Sequence, residues 1–197
     1  MASKEDIVTL PTKNLRQQSD EVSFPLNKKI EKLIADMKSA TLDWEASRPH
    51  EFGVALAATQ IGVLQRVVVV RQSFRDKSNT NFDIFINPEI TRYEGEVVEE
   101  HEGCLSVSDV YGMVPRYSKV KVKAKNEFGR PVKFVVKGFL ARVFQHEVDH
   151  TNGITFVDKI GAEGRFFKLL PEGQMDEVTG DEKTKLLKYM DVTKNAT

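Results

Sequence analysis

SKVKVKAKNEFGRPVKFVVKGFLARVFQHEVDHTNG, residues 118 to 153, is the stretch whose reading decides the fold. Val120, Val122 and Ala124 alternate with lysines, the period-two pattern of a strand with one buried face. NEFGR, residues 126 to 130, carries turn residues, and PVKFVVKG after it reads as the returning strand of a hairpin. At Phe139 the period changes. FLARVFQHEVDH is a mostly apolar helical run, and Asn152-Gly153 closes it.

Working outward, KKIEKLIADMKSATLDW (28 to 44) places Ile30, Leu33, Ile34, Met37 and Ala40 at helical spacing, and Arg48-Pro49 falls beyond its end. RVVVV (66 to 70) reads as a buried strand. RDKSNTN (75 to 81) is a surface loop, and FDIFINP (82 to 88) a strand stopped near Pro88. EGEVVEEHEGCLSVSD (94 to 109) carries more extended chain, with Cys104 in its later half. Residues 1 to 26 look irregular. Downstream, residues 154 to 160 suggest a short strand, PEG and VTGD are turns, and DEKTKLLKYM (181 to 190) is a final short helix. Strands outnumber helices and do not alternate regularly with them, so the expected class is α+β rather than a doubly wound sheet.

The length of 197 residues fits a single domain. Lys plus Arg number 29 and so do Asp plus Glu, so no strongly basic field invites a nucleic-acid backbone, apart from a local patch at Lys119 to Lys125. The opening MASKEDIVTLPTK has no apolar core of signal-peptide length, and runs such as VVVV are far too short to span a bilayer; the expected compartment is the cytoplasm. Cys104 is the only cysteine, which excludes an internal disulfide and leaves either a small buried hydrophobe or a metal ligand.

On a helix, His146 and His150 project from one face with Cβ atoms about 5–6 Å apart, so they can converge on one ion. Glu147 beside them can take a proton from a water at that ion. Phe139, Leu140, Val143 and Phe144 mark the helix as deeply packed, where His146, Glu147, Asp149 and His150 are costly to desolvate unless a metal and its surroundings satisfy them. The competing reading is a partly solvated helix with ordinary histidines and Asp149 in a surface ion pair. The third ligand is either a later carboxylate, Glu163, Glu172 or Glu177, or Cys104, which lies 42 residues before His146. A thiolate with two neutral imidazoles suits zinc or ferrous iron and leaves a coordination position open. Gly103 lets the backbone come close to a substrate or metal. His50 and His101 read as solvent-facing.

Three stretches stand together in order: GVALAATQ (53 to 60), EGCLS (102 to 106) and HEVDH (146 to 150). In this combination the chain resembles the peptide deformylases, over roughly residues 25 to 160. The resemblance implies a metal held by Cys104, His146 and His150, with Glu147 as general acid–base and an oxyanion held by Gln60 and the backbone N–H of Leu105. It implies one divalent ion, ferrous iron in the usual case, with zinc or nickel as alternatives. It further implies an α+β fold, with antiparallel sheets around a central helix carrying HEVDH, followed by a C-terminal helix. Residues 1–197 then form one catalytic domain, on which 161–197 packs as an extension. The implied substrates are N-formylmethionyl nascent peptides, met at the ribosome by a monomeric bacterial enzyme with no membrane or specific nucleic-acid contact. Gly53, Val54, Ala55, Gly103, Arg142 and Val143 are the expected substrate-binding residues, and Arg116 a further peptide contact. The family usually has glycine where Ala55 stands, and a methyl group there narrows the groove.

Overall fold

The computed structural model describes residues 1–160 and 164–194. Helix α1 spans Lys28–Ala46 and is capped by Asn27, whose side chain accepts from the backbone N–H groups of Lys29 and Ile30 at 3.0 and 3.1 Å. Ile30, Leu33, Ile34, Met37 and Ala40 are all buried, as their spacing requires. Strands β1 (Ala55–Ala57) and β2 (Val67–Arg71) pair antiparallel and lie between α1 and α2 (Phe139–Thr151). The alternation within VVVV explains why every valine of β2 is buried: Val67 and Val69 join the core under α1, while Val68 and Val70 join the core under α2.

The sheet continues through β3 (Phe82–Cys104), β4 (Val107–Lys125), β6 (Phe166–Leu169) and β7 (Met175–Glu177). β5 (Pro131–Lys137) pairs with the far half of β4, opposite Lys119–Lys125, while β6 pairs at Val110–Gly112. The pairings between these seven strands are all antiparallel and join them into one sheet rather than separate ones. Helix α3 (Gly180–Lys194) ends the described chain, and its Leu186 and Leu187 pack against the core around Phe156 and Phe166. The class is α+β with α2 central. No helix among the described residues is long and apolar enough to cross a membrane.

Two local expectations are corrected, and one hairpin is added. The strand does not stop at Pro88; it passes through a register shift between Ile86 and Glu89 and runs on to Cys104. Asn87 adopts φ 51° there, its side chain exchanges bonds with the Val22 backbone at 2.8 and 3.0 Å, and the missing proline N–H falls at the irregularity. Residues 154 to 160 form no strand. Asp158 accepts from the Thr155 N–H at 2.9 Å and hydroxyl at 3.0 Å, closing a 3-10 turn over Phe156–Asp158 that buries Phe156 and Val157. The β6–β7 hairpin was not foreseen, because FFKL and MDE are too short to show a period.

Candidate metal centre and active site

β3 ends at Cys104 and β4 begins at Val107, so Leu105 and Ser106 form a two-residue turn facing α2. This brings Cys104 Sγ to 3.3 Å from His150 Nε2, itself 3.0 Å from His146 Nε2. One ligand atom from each residue lies within 4.8 Å of the other two, the group among the described residues able to hold an ion. His150 is fully buried, and Cys104 and His146 are 8% exposed. Two imidazole nitrogens and a sulfur presented to one another in a buried site share too few protons to satisfy all their lone pairs, and a single divalent ion satisfies them together. Burial works against a charged His146, but its hydrogen bonds to Cys104 and Glu102 hold it well above the ordinary imidazole value. Burial and the neighbouring His146 push His150 well below it. Glu163, one alternative third ligand, lies outside the described residues; Glu172 is exposed and Glu177 is paired with Arg165 at 2.9 and 2.7 Å.

Glu102, whose role the sequence did not disclose, fixes the first histidine. Its carboxylate receives His146 Nδ1 at 2.7 Å, Arg116 at 3.1 and 2.7 Å, and Arg142 at 3.1 Å. Burial raises its pKa, but His146 and Arg116 outweigh this and hold it well below the carboxylate range. Orienting a ligating imidazole through its other nitrogen is the usual work of such a carboxylate. Arg116 is buried, pairs with Glu102 and Asp149, and is absent from the cavity lining, so the expected peptide contact is replaced by an internal one. Asp149 is correspondingly buried rather than in a surface pair. Arg142 is buried too, donating to the carbonyls of Val114 and Val98 at 2.8 and 2.9 Å, with part of it reaching the cavity.

Glu147 lies 4% exposed beside the ligands, and its Oε2 has no hydrogen-bond partner among the described residues. Burial pushes its carboxyl up to about 7, partly offset by His146. That value suits a group that both takes and returns a proton near neutrality. Gln60 sits in the 3-10 turn Ala58–Ile61, where its Oε1 accepts the Ala57 N–H at 2.8 Å. This fixes the amide so that Nε2 faces Cys104 Sγ at 3.4 Å and Ser106 Oγ at 3.3 Å.

These groups open into a cavity of ≈ 420 Å³. Val54, Ala55, Gln60, Gly103, Leu105, Arg142, Val143 and Glu147 all line it, and Gly53 does not. Gly53 lies against α1: a Cβ there would stand 2.6 Å from the Thr41 side chain, and its N–H donates to Glu45 at 2.9 Å. Gly103 makes room for its cross-strand neighbour, since a Cβ would stand 2.5 Å from the Tyr111 ring. His50 and His101 are exposed, yet both line the outer cavity. Three of the four lysines of β4 lie near carboxylates: Lys119 and Lys121 lie 2.6 and 3.4 Å from Glu94, and Lys123 lies 2.8 Å from Glu89.

A protein-family model described as Polypeptide deformylase matches residues 4–166. A peptide deformylase of Aquifex aeolicus is 41% identical over 155 residues, covering 79% of this chain and 86% of the relative. The crystal structure of a peptide deformylase from Legionella pneumophila superposes with a TM-score of 0.71 at 32% identity, covering 99% of this chain and 96% of that one. A Met-Ala-Ser-bound class I type b peptide deformylase from Acinetobacter baumannii superposes at 0.67 and 35% identity, covering 78% of this chain and 96% of that one.

Proposed function

The chain belongs to the peptide deformylase family, metal-dependent hydrolases that remove the N-formyl group from the N-terminal methionine of newly made proteins and release formate, and on that premise we propose a role for each residue of its site. Cys104, His146 and His150 hold one divalent ion. Bound there, the ion supplies a Lewis acid that eases deprotonation of the attacking water and polarises the formyl oxygen. Ferrous iron is the resident ion in this reading, and zinc or nickel can replace it.

Glu147 takes a proton from the attacking water as the new C–O bond forms at the formyl carbon, then delivers it to the amine nitrogen as the C–N bond breaks. The products are formate and a free N-terminus. Gln60 Nε2 and the Leu105 N–H donate to the oxygen that becomes negative at the tetrahedral stage. Glu102 keeps the His146 ring in place. Val143, one helical turn before His146, borders the space for the methionine side chain, with Arg142 beside it. Val54, Ala55 and Gly103 offer backbone edges to the extended peptide, while Gly53 positions that edge against α1. Cys104 acts as a ligand and not as a nucleophile.

The observation that carries this reading is the convergence of the three donor atoms within 4.8 Å, with Glu147 beside them in an open cavity and its Oε2 without a partner among the described residues. The test is formate release from a formyl-methionyl peptide by anaerobically purified, metal-loaded protein, beside peptide-bond cleavage of an unformylated control. Formate without cleavage is expected; cleavage of the control, or no formate from protein of full metal content, overturns the reading. We further propose one domain across 1–197 with 161–197 as its extension, acting as a monomer in the bacterial cytoplasm on nascent chains at the ribosome, without specific nucleic-acid contact. Light scattering in solution tests the monomer, and co-sedimentation with ribosomes tests the association.

A further inference from the structure

The cavity does not end at the ligand cluster. It runs along β4 to the β6–β7 hairpin, where Leu169, Gly173 and Met175 join its lining. Leu169 and Met175 are directly opposed in the antiparallel register, so their side chains stand on the same face. Phe167, two residues before Leu169, shares that face, and its ring meets the edge of His101 at 4.4 Å between centroids. Lys168 points the other way and pairs with Glu182 of α3. At its turn end the hairpin thus presents Leu169 and the 39% exposed Met175 to the cavity, while farther along the same face Glu177, opposite Phe167, pairs with Arg165, and on the other face Phe166 is buried in the core.

The hairpin is tied in place. The Val178 N–H donates to the Phe166 carbonyl at 2.8 Å, and both residues belong to the core. At the turn, Gly173 has φ +86°, and a Cβ there would stand 3.2 Å from the His50 ring, so the turn abuts the loop after α1. Position follows from the register. Cys104 opposes Val107 on β4, and Val110 opposes Lys168 on β6, which sets Leu169 beside Asp109. Two residues along a strand span about 7 Å and each step between strands about 5 Å, so Leu169 stands about 12 Å and Met175 about 17 Å from Cys104 along the sheet. An extended peptide covers about 10 Å in three residues, and the side chain of the third, with those of Leu169 and Met175 reaching toward it, spans the remainder.

We propose that the β6–β7 hairpin is a specificity wall of the substrate groove, and that Leu169 and Met175 receive an apolar side chain from the third residue of the formylated peptide. The proposal rests on the cavity being the formyl-peptide groove. It gives part of the tail beyond residue 160 a task in substrate choice rather than in packing alone.

The test compares kcat/KM for formyl-Met-Ala-Leu and formyl-Met-Ala-Asp, each divided by the same protein's value on formyl-Met-Ala. The full-length, metal-loaded chain should prefer leucine over aspartate by about tenfold, chiefly through KM, the scale of one apolar contact in a pocket. Met175→Lys should abolish or reverse that preference, and Leu169→Ala should reduce it. A leucine-to-aspartate ratio that neither substitution moves, or a parallel fall in both normalised rates, overturns the hairpin's role while leaving the groove intact. Failure of the unmodified protein on all three formyl peptides overturns instead the reading of the cavity.

Discussion

Replacing Glu102 by alanine probes the site without touching a proposed ligand or proton carrier. The carboxylate receives four donors: two from Arg116, one from Arg142 and one from His146. Both guanidinium groups are buried, at 5% exposed each, so their charges cannot relax into water. Removing one partner of a buried ion pair costs about 3–5 kcal/mol. The lower end applies, because Arg116 keeps Asp149 and Arg142 keeps the carbonyls of Val98 and Val114. A loss of about 3 kcal/mol in a chain of this size lowers Tm by about 6–12 °C. The His146 ring, freed at Nδ1, should also bind the ion about 10–100-fold more weakly. Thermal unfolding of the metal-stripped protein reads the first effect, and competition with a chromophoric chelator reads the second. Glu102→Gln, which keeps the shape and one acceptor, should fall between. If Glu102→Ala changed neither Tm nor metal affinity, the carboxylate would be shown to neither anchor the arginines nor orient His146.

Glu147→Ala should retain the metal and lose about 10²–10⁴ in kcat, since it removes only the proton carrier; metal analysis beside formate release checks this. Cys104→Ser should lower metal content after dialysis and take activity down with it, and unchanged metal content would remove the sulfur from the ligand set. Gln60→Ala should lower kcat by about 10²–10³ with little change in KM if its amide serves the transition state. Treatment with a strong chelator should abolish formate release by the unmodified protein, and adding back a divalent ion should restore it.

The elements legible in the sequence are those whose pattern repeats within themselves. The stripe from Ile30 to Ala40, the valines of β2, the lysine-alternating half of β4 and the apolar run into HEVDH each carry their own period. What escaped depends on partners distant in the chain. Pro88 is tolerated because Asn87 bonds to Val22, 65 residues away. Glu102 joins the site because Arg116, Arg142 and His146 arrive from 14, 40 and 44 residues downstream. Arg116 was read as a peptide contact since an isolated arginine in a strand gives no hint that two carboxylates will enclose it. The side-chain chemistry at Cys104 was equally open until its motif was set beside the other two, as a lone thiol has no local signature of ligation.

The same distinction explains how the site is held together. His146, Glu147 and His150 come from one helical turn and a little more, so the helix itself sets their mutual geometry. Cys104 comes from another element, and slipping β3 by one residue would carry its side chain to the opposite face of the sheet. The distance from sulfur to imidazole is therefore a property of how α2 docks on β3 and β4. Polar ties fix that docking: Glu102 to His146, Arg116 to Asp149, Arg142 to Glu102, Glu100 and the Val98 and Val114 carbonyls, and Gln145 exchanging bonds with the Tyr117 backbone at 3.0 and 2.8 Å. Apolar burial is non-directional, so these directional ties specify the docking beyond what burial does. The buried charges around α2 thus act on the chemistry through register, and damage to any of them should appear first as altered metal affinity rather than as a lost catalytic group.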